Sequence, residues 1–88
     1  MSLDELREEI QAIDRELVEL VAQRTYVAES VAAVKERQGL PTTDASQEQQ
    51  VIDRARENAD HFDLDEDIVS EVFELLIELN KVEQRNTR

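Results

Sequence analysis

The sequence predicts an all-α fold of three helices that pairs with a second copy of itself. Apolar residues recur at alternating steps of three and four, a period typical of helices with one buried face. Glycine and proline occur once each, as Gly39 and Pro41, so the chain has one strong break. The first periodic segment is also too long for an 88-residue chain to bury by itself.

The first helix is predicted to run from about residue 3 to about residue 36. Ser2 is suited to cap its N-terminus, with Glu5 three residues further on as in a capping box. Roughly 34 residues at 1.5 Å each form a rod about 50 Å long. The expected solution is an intertwined dimer in which the long helices of two chains share one core. The apolar seam comprises Leu3, Leu6, Ile10, Ile13, Leu17, Leu20, Val27, Val31 and Val34.

Arg24 occupies the one charged position on that seam. A guanidinium cannot escape burial by losing its proton, and left unpaired it would cost several kcal/mol. It therefore needs a carboxylate from another helix, a water-filled cavity or an anionic ligand. The position alone does not choose between a structural ion pair and a ligand site.

The second and third helices follow the break at Gly39 and Pro41. Asp44 is placed to cap the second helix, predicted over about residues 44–60. The third is predicted over about residues 65–85, after a short link near Asp63. We expect all 88 residues to form a single domain.

Several polar residues are predicted on inward-facing or bordering positions. Glu48 points with the apolar face of the second helix, as either an ion-pair partner or a ligand group. Asn80 and Gln84 continue the apolar line of the third helix, where amides either bind a ligand or mark a fraying end. Arg7 and Lys35 border the seam of the first helix.

Arg7 and Arg24 are too far apart to share a ligand within one chain. Their separation of 17 residues corresponds to about 25 Å along the helix axis. In an antiparallel dimer, one end of a helix can lie beside the middle of its twin. The implied site is therefore shared between chains, and its cations suit a small dianion.

Composition limits the classes of function. With 22 acidic and 10 basic residues the net charge is −12, which disfavours nucleic acid as a partner. The eight Arg and two Lys on an acidic background suggest a protein from a salt-loving source. No apolar run reaches the roughly 20 residues of a membrane span, and no signal-peptide pattern opens the chain. A soluble cytoplasmic protein is expected.

No standard catalytic machinery is visible. There is no cysteine, metal-ligand spacing or glycine-rich phosphate loop, and the lone His61 lies in an acidic link that favours a surface role. An enzyme built from these residues would work by orientation and electrostatics rather than by a nucleophile.

The chain resembles the chorismate mutases of the all-helical class over nearly its whole length. Single fragments are weak marks, but their order and spacing together are specific. They are Leu-Arg-Glu-Glu-Ile from Leu6, Ile-Asp from Ile13, Ala-Gln-Arg ending at Arg24, Val-Lys at Val34, Pro-Thr-Thr-Asp-Ala-Ser-Gln-Glu from Pro41 and Phe-Glu-Leu-Leu-Ile-Glu from Phe73.

This resemblance implies a homodimer with two equivalent sites that rearranges chorismate to prephenate, a step toward phenylalanine and tyrosine, without cofactor or metal. It implies a substrate carboxylate on Arg24 and another contact from Arg7 of the second chain. Lys35 and Gln84 would donate to the ether oxygen whose bond to carbon breaks.

The resemblance also implies roles for three further residues. Glu48 would accept from the ring hydroxyl, helped by the backbone around Asp44, and Asn80 would assist with the ring carboxylate. Gln47 stands where many relatives carry Arg, and Asn80 where Ser is frequent.

Two other functions stay open from the sequence. One is an isochorismate pyruvate-lyase on the same scaffold. The other is a non-catalytic helical dimerisation module, in which the polar seam residues would pair only with one another or with solvent.

Overall fold

The chain folds into three α-helices, as predicted. A computed structural model describes residues 1–86, with side chains for residues 1–83. Helix α1 spans Leu3–Arg37, α2 spans Ala45–His61 and α3 spans Glu66–Asn86. Each predicted boundary is confirmed to within one residue, and residues 1–86 contain no strand.

Side chains at the N-terminus of each helix cap backbone N–H groups. The Ser2 hydroxyl accepts from the Glu5 amide at 3.1 Å and also donates to the Glu5 carboxylate. Asp44 Oδ1 accepts from the Ser46 amide at 3.0 Å and the Gln47 amide at 3.3 Å. Asp65 Oδ1 accepts from the Ile68 amide at 2.9 Å. These bonds satisfy donors that a helix cannot satisfy internally, and so fix where each helix begins.

Two residues with left-handed backbone end α1 and α2. Gly39 has φ 70°, and the Leu40 amide donates back to the Lys35 carbonyl at 2.8 Å. Asp63 has φ 58°, and the Leu64 amide donates to the Ala59 carbonyl at 2.8 Å. Both ends have the Schellman hydrogen bond, in which an amide just beyond the helix donates to a carbonyl of its last turn. Glycine adopts this conformation without strain, and aspartate tolerates it.

Helix α3 packs against both other helices. Its contact with α2 is close because Ala55, Ala59 and Ser70 are small and buried. Arg56 joins the two helices at the surface, donating to Asp67 at 2.8 Å and to Ser70 at 3.1 Å. The hydrogen bond to Asp67 raises the pKa of Arg56 above its ordinary value.

The N-terminal half of α1 projects away from the rest of the chain. Every residue from 1 to 20 is exposed, and the seam residues Ile10, Ile13 and Leu17 each expose more than half of their surface. The extents of 55 × 27 × 15 Å and a radius of gyration of 16.0 Å describe an elongated shape. A compact chain of this length would have a radius of gyration of about 12 Å. One copy therefore leaves much of its own apolar seam uncovered.

Among the described residues, no helix combines the length and the apolar character needed to cross a bilayer.

Candidate active site

Arg24 lies half-buried between α1 and α3, where an amide rather than a carboxylate holds it. Its Nη1 donates to Asn80 Oδ1 at 2.7 Å, and its Cζ lies 5.9 Å from the centroid of the Phe73 ring. None of the carboxylates among residues 1–83 forms an ion pair with it. The structural ion pair that the seam position allowed is therefore absent from the described side chains.

A chain of hydrogen bonds fixes the orientation of Asn80. The residue is 8% exposed, and its side-chain Nδ2 donates to Thr25 Oγ1 at 3.1 Å. The Thr25 hydroxyl in turn donates to the Val21 carbonyl at 2.8 Å. With Nδ2 committed to Thr25, Oδ1 is left facing Arg24. Asn80 uses one of the five N–H donors of the guanidinium.

A cavity of about 220 Å³ brings together three of the predicted site residues. Lys35 from α1, Glu48 from α2 and Asn80 from α3 all line it, together with Thr42 and Thr43 from the connecting loop. Lys35 and Glu48 are both half-buried. Each of the three helices contributes a polar side chain to the cavity, which joins the Arg24 network through Asn80.

Lys81 belongs to the same cavity and was missed by the sequence reasoning. Its Nζ lies 2.9 Å from Glu48 Oε1, an ion pair between α3 and α2. A signal was present, because Lys81 follows Phe73 and Ile77 at steps of four residues and so shares their helical face. It is also one of only two lysines in the chain.

The remaining predicted site residues lie outside this cavity or outside the described residues. Asp44 caps the helix that carries Glu48 but does not itself line the cavity. Arg7 is exposed near the start of α1, about 25 Å along the axis from Arg24. The side chain of Gln84 lies outside the described residues.

No metal-binding group of three or more histidine, cysteine or acidic side chains occurs within the described part of the chain. The described lining of the cavity offers fixed charges and hydrogen-bonding groups. Two ammonium groups and one carboxylate line it, and a guanidinium is one hydrogen bond away.

The fold and this cluster define an all-helical protein with a cation-rich cavity between its helices. The family model described as chorismate mutase type II matches residues 6–85. Chorismate mutase from Methanocaldococcus jannaschii is 36% identical over 83 residues, covering 94% of this chain and 84% of that protein. The T-protein of Haemophilus influenzae is 32% identical over 72 residues, and the match spans 82% of this chain but 19% of that protein. The chain therefore belongs to the chorismate mutase type II family.

The Asn80 network yields a stability prediction. Asn80→Ala leaves Arg24 and Thr25 without their shared partner in a largely buried position. We expect the free energy of unfolding to fall by about 1–3 kcal/mol, measured by chemical denaturation at one fixed protein concentration.

The matched control is Asn58→Ala, at an exposed position on α2. Alanine is the better helix former, so this variant should unfold at the same denaturant concentration as the parent or a higher one. Equal destabilisation by both variants would show that the Asn80 network contributes nothing specific.

Proposed function

We propose that two copies of this chain rearrange chorismate to prephenate in two equivalent pockets, each built from both subunits. Membership of the family makes the chain a chorismate mutase, an isomerase, and favours this reaction over the lyase and the non-catalytic module. The observation that carries the site proposal is Arg24, held by a neutral amide beside a cavity lined by Lys35. Because the amide is neutral, the positive charge of Arg24 is not cancelled and can attract an anionic ligand.

Substrate binding is proposed to begin with two arginines. Chorismate carries two carboxylates, and a guanidinium can take a carboxylate through two parallel N–H donors. In our proposal Arg24 takes one carboxylate while Asn80 keeps the guanidinium oriented. Arg7 of the partner subunit takes the other. Two such contacts hold the flexible substrate in the folded conformer that brings the bonding carbons together.

The rearrangement needs no covalent help from the protein. As the bond between carbon and the ether oxygen stretches, negative charge grows on that oxygen. Lys35 and Gln84 are proposed to donate hydrogen bonds there, which stabilises the transition state more than the substrate. Because fixed charges and hydrogen bonds suffice, the proposed mechanism uses no metal or cofactor.

Three residues are proposed to complete the pocket. Glu48 accepts a hydrogen bond from the ring hydroxyl, and it already lines the cavity together with Lys35. The backbone near Asp44 assists, since this residue caps the helix that presents Glu48. Asn80 lies next to the ring carboxylate, where its bond to Arg24 links the two contacts.

The second subunit is proposed from the exposed seam of α1. A 35-residue helix with uncovered Ile10, Ile13 and Leu17 is stabilised when an antiparallel twin covers the same face. The cavity in one chain, 220 Å³, is also smaller than the roughly 300–1,000 Å³ of typical ligand pockets. A wall supplied by the partner, carrying its Arg7, would complete the enclosure.

Lys35→Ala should lower turnover of chorismate at least about 10²-fold, because it removes the charged donor to the ether oxygen. The measurement is the disappearance of chorismate with purified protein in molar salt. Arg37→Ala is the matched control, since it removes the same charge from the exposed last turn of the same helix. Unchanged turnover in the Lys35 variant would exclude the proposed mechanism even if the parent protein is active.

Mixing two inactive variants tests the shared pocket. In a heterodimer of Arg7→Ala and Arg24→Ala chains, one pocket receives both intact arginines and the other receives neither. After random subunit exchange, half the molecules are heterodimers, so we expect about a quarter of the parent activity. Activity that stays at the level of the separate variants would place the whole pocket within a single chain.

We also propose a cytoplasmic setting at high salt, and the net charge of −12 supports the high salt concentration. Repulsion between acidic groups is strong when screening is weak, and the Debye length falls from about 10 Å at 0.1 M to about 3 Å at 1 M salt.

The free energy of unfolding should therefore rise with added KCl. The salt dependence should be shallower in a triple variant with exposed acids neutralised, Glu8→Gln, Glu57→Gln and Asp60→Asn. Parallel salt curves for the two proteins would contradict this explanation.

A further inference from the structure

The ion pair between Glu48 and Lys81 is partly buried and joins two helices. The side chains are 34% and 40% exposed, and Nζ lies 2.9 Å from Oε1. That distance is typical of a charge-assisted hydrogen bond, and such bonds are about twice as strong as neutral ones. The pair therefore restricts the Glu48 side chain more than solvent would.

Both members of the pair line two neighbouring cavities. The cavity of about 220 Å³ contains Lys35 and Asn80. A second cavity, of about 380 Å³, contains Glu74 and Glu78. A glutamate side chain has three rotatable torsions, so the Glu48 carboxylate can face either space. A contact that selects one orientation is therefore needed if the carboxylate is to serve the first cavity.

Charge gives a second reason for a cation beside Glu48. A carboxylate next to a dianionic substrate is repelled by it unless a positive group stands close by. The α2 residue that lines the same cavity one position earlier is Gln47, which is neutral. Among the described side chains, the cations lining this cavity are Lys35 from α1 and Lys81 from α3, and of these two Lys81 is paired with the carboxylate.

We propose that Lys81 is a positioning residue that holds Glu48 toward the substrate cavity. Its ammonium binds Oε1 and leaves Oε2 to accept a hydrogen bond from the ring hydroxyl of the substrate. The inference rests on the proposed function, because it needs a hydroxyl-bearing dianion in that cavity. It assigns to α3 a cation that acts through an acid on α2.

The test compares chorismate with an analogue that lacks the ring hydroxyl. Lys81→Met should lower kcat/KM for chorismate about 10- to 100-fold, since a charge-assisted contact becomes poorly aligned. For the analogue the same variant should lose less than about 3-fold, because Glu48 then has no hydroxyl to bind. If the analogue turns over too slowly, its inhibition constant replaces kcat/KM. Lys81→Arg should restore most of the activity on chorismate, since it restores the positive charge.

Matched variants separate this role from a structural one. Arg54→Met removes one positive charge from an exposed position on α2 and should affect neither substrate. Lys81→Gln provides a second variant if Lys81→Met folds poorly. Equal losses on both substrates would mean that Lys81 only holds α2 to α3 or binds the substrate directly, and would overturn the inference. No loss on chorismate would overturn it too.

Failure of the proposed function would look different. It would appear as absent turnover by the parent protein. It would also appear if the Glu48→Gln variant kept the full preference of the parent for chorismate over the analogue. Parent activity and a hydroxyl-dependent effect of Glu48→Gln, together with equal losses from Lys81→Met, would reject the role of Lys81 alone.

Discussion

The structure depends on one constraint: the first helix is so long that a single chain cannot cover its apolar seam. Helix α1 has 35 residues, and α3 covers only part of its apolar seam. The uncovered part carries large aliphatic side chains whose burial stabilises an assembly by about 25 cal/mol per Å² of apolar surface. In our proposal, the pairing of two such helices and the sharing of each pocket between two chains are then a single event. Assembly would bring Arg7 toward the pocket at the same time as it covers the seam.

Within one chain, the position of the charge at Arg24 is set by neutral groups. The Asn80 amide accepts from the guanidinium and donates to Thr25, which in turn bonds to the backbone of α1. A carboxylate in the place of Asn80 would neutralise Arg24 and compete with an anionic ligand. An amide holds the same geometry without cancelling the charge. This explains how a cation on an apolar seam can be both structurally satisfied and available for binding.

The helices could be predicted from the sequence because their signals are local. The three-and-four spacing of apolar residues, the caps at Ser2 and Asp44, and the left-handed Gly39 each act within a few residues. Lys35, Glu48 and Asn80 were predicted as site residues from helical faces and from the family resemblance. The structure brings all three to one cavity. The contact of Arg24 with Asn80 could not be predicted, because it joins residues 56 positions apart and depends on how α3 crosses α1. The partner of Lys81 could not be predicted either, because it depends on how α2 packs against α3.

The way α1 ends has a consequence for heat tolerance. Helix termini normally open at low free energy, well before the whole domain unfolds. Lys35 lies in the final turn of α1, where such fraying would displace it. The carbonyl of Lys35 is held by the Leu40 amide across the left-handed Gly39, so opening this turn requires breaking the reverse turn as well. In our proposal Lys35 acts on the substrate, so the stability of this turn at Gly39 would set the temperature at which heating begins to displace that side chain.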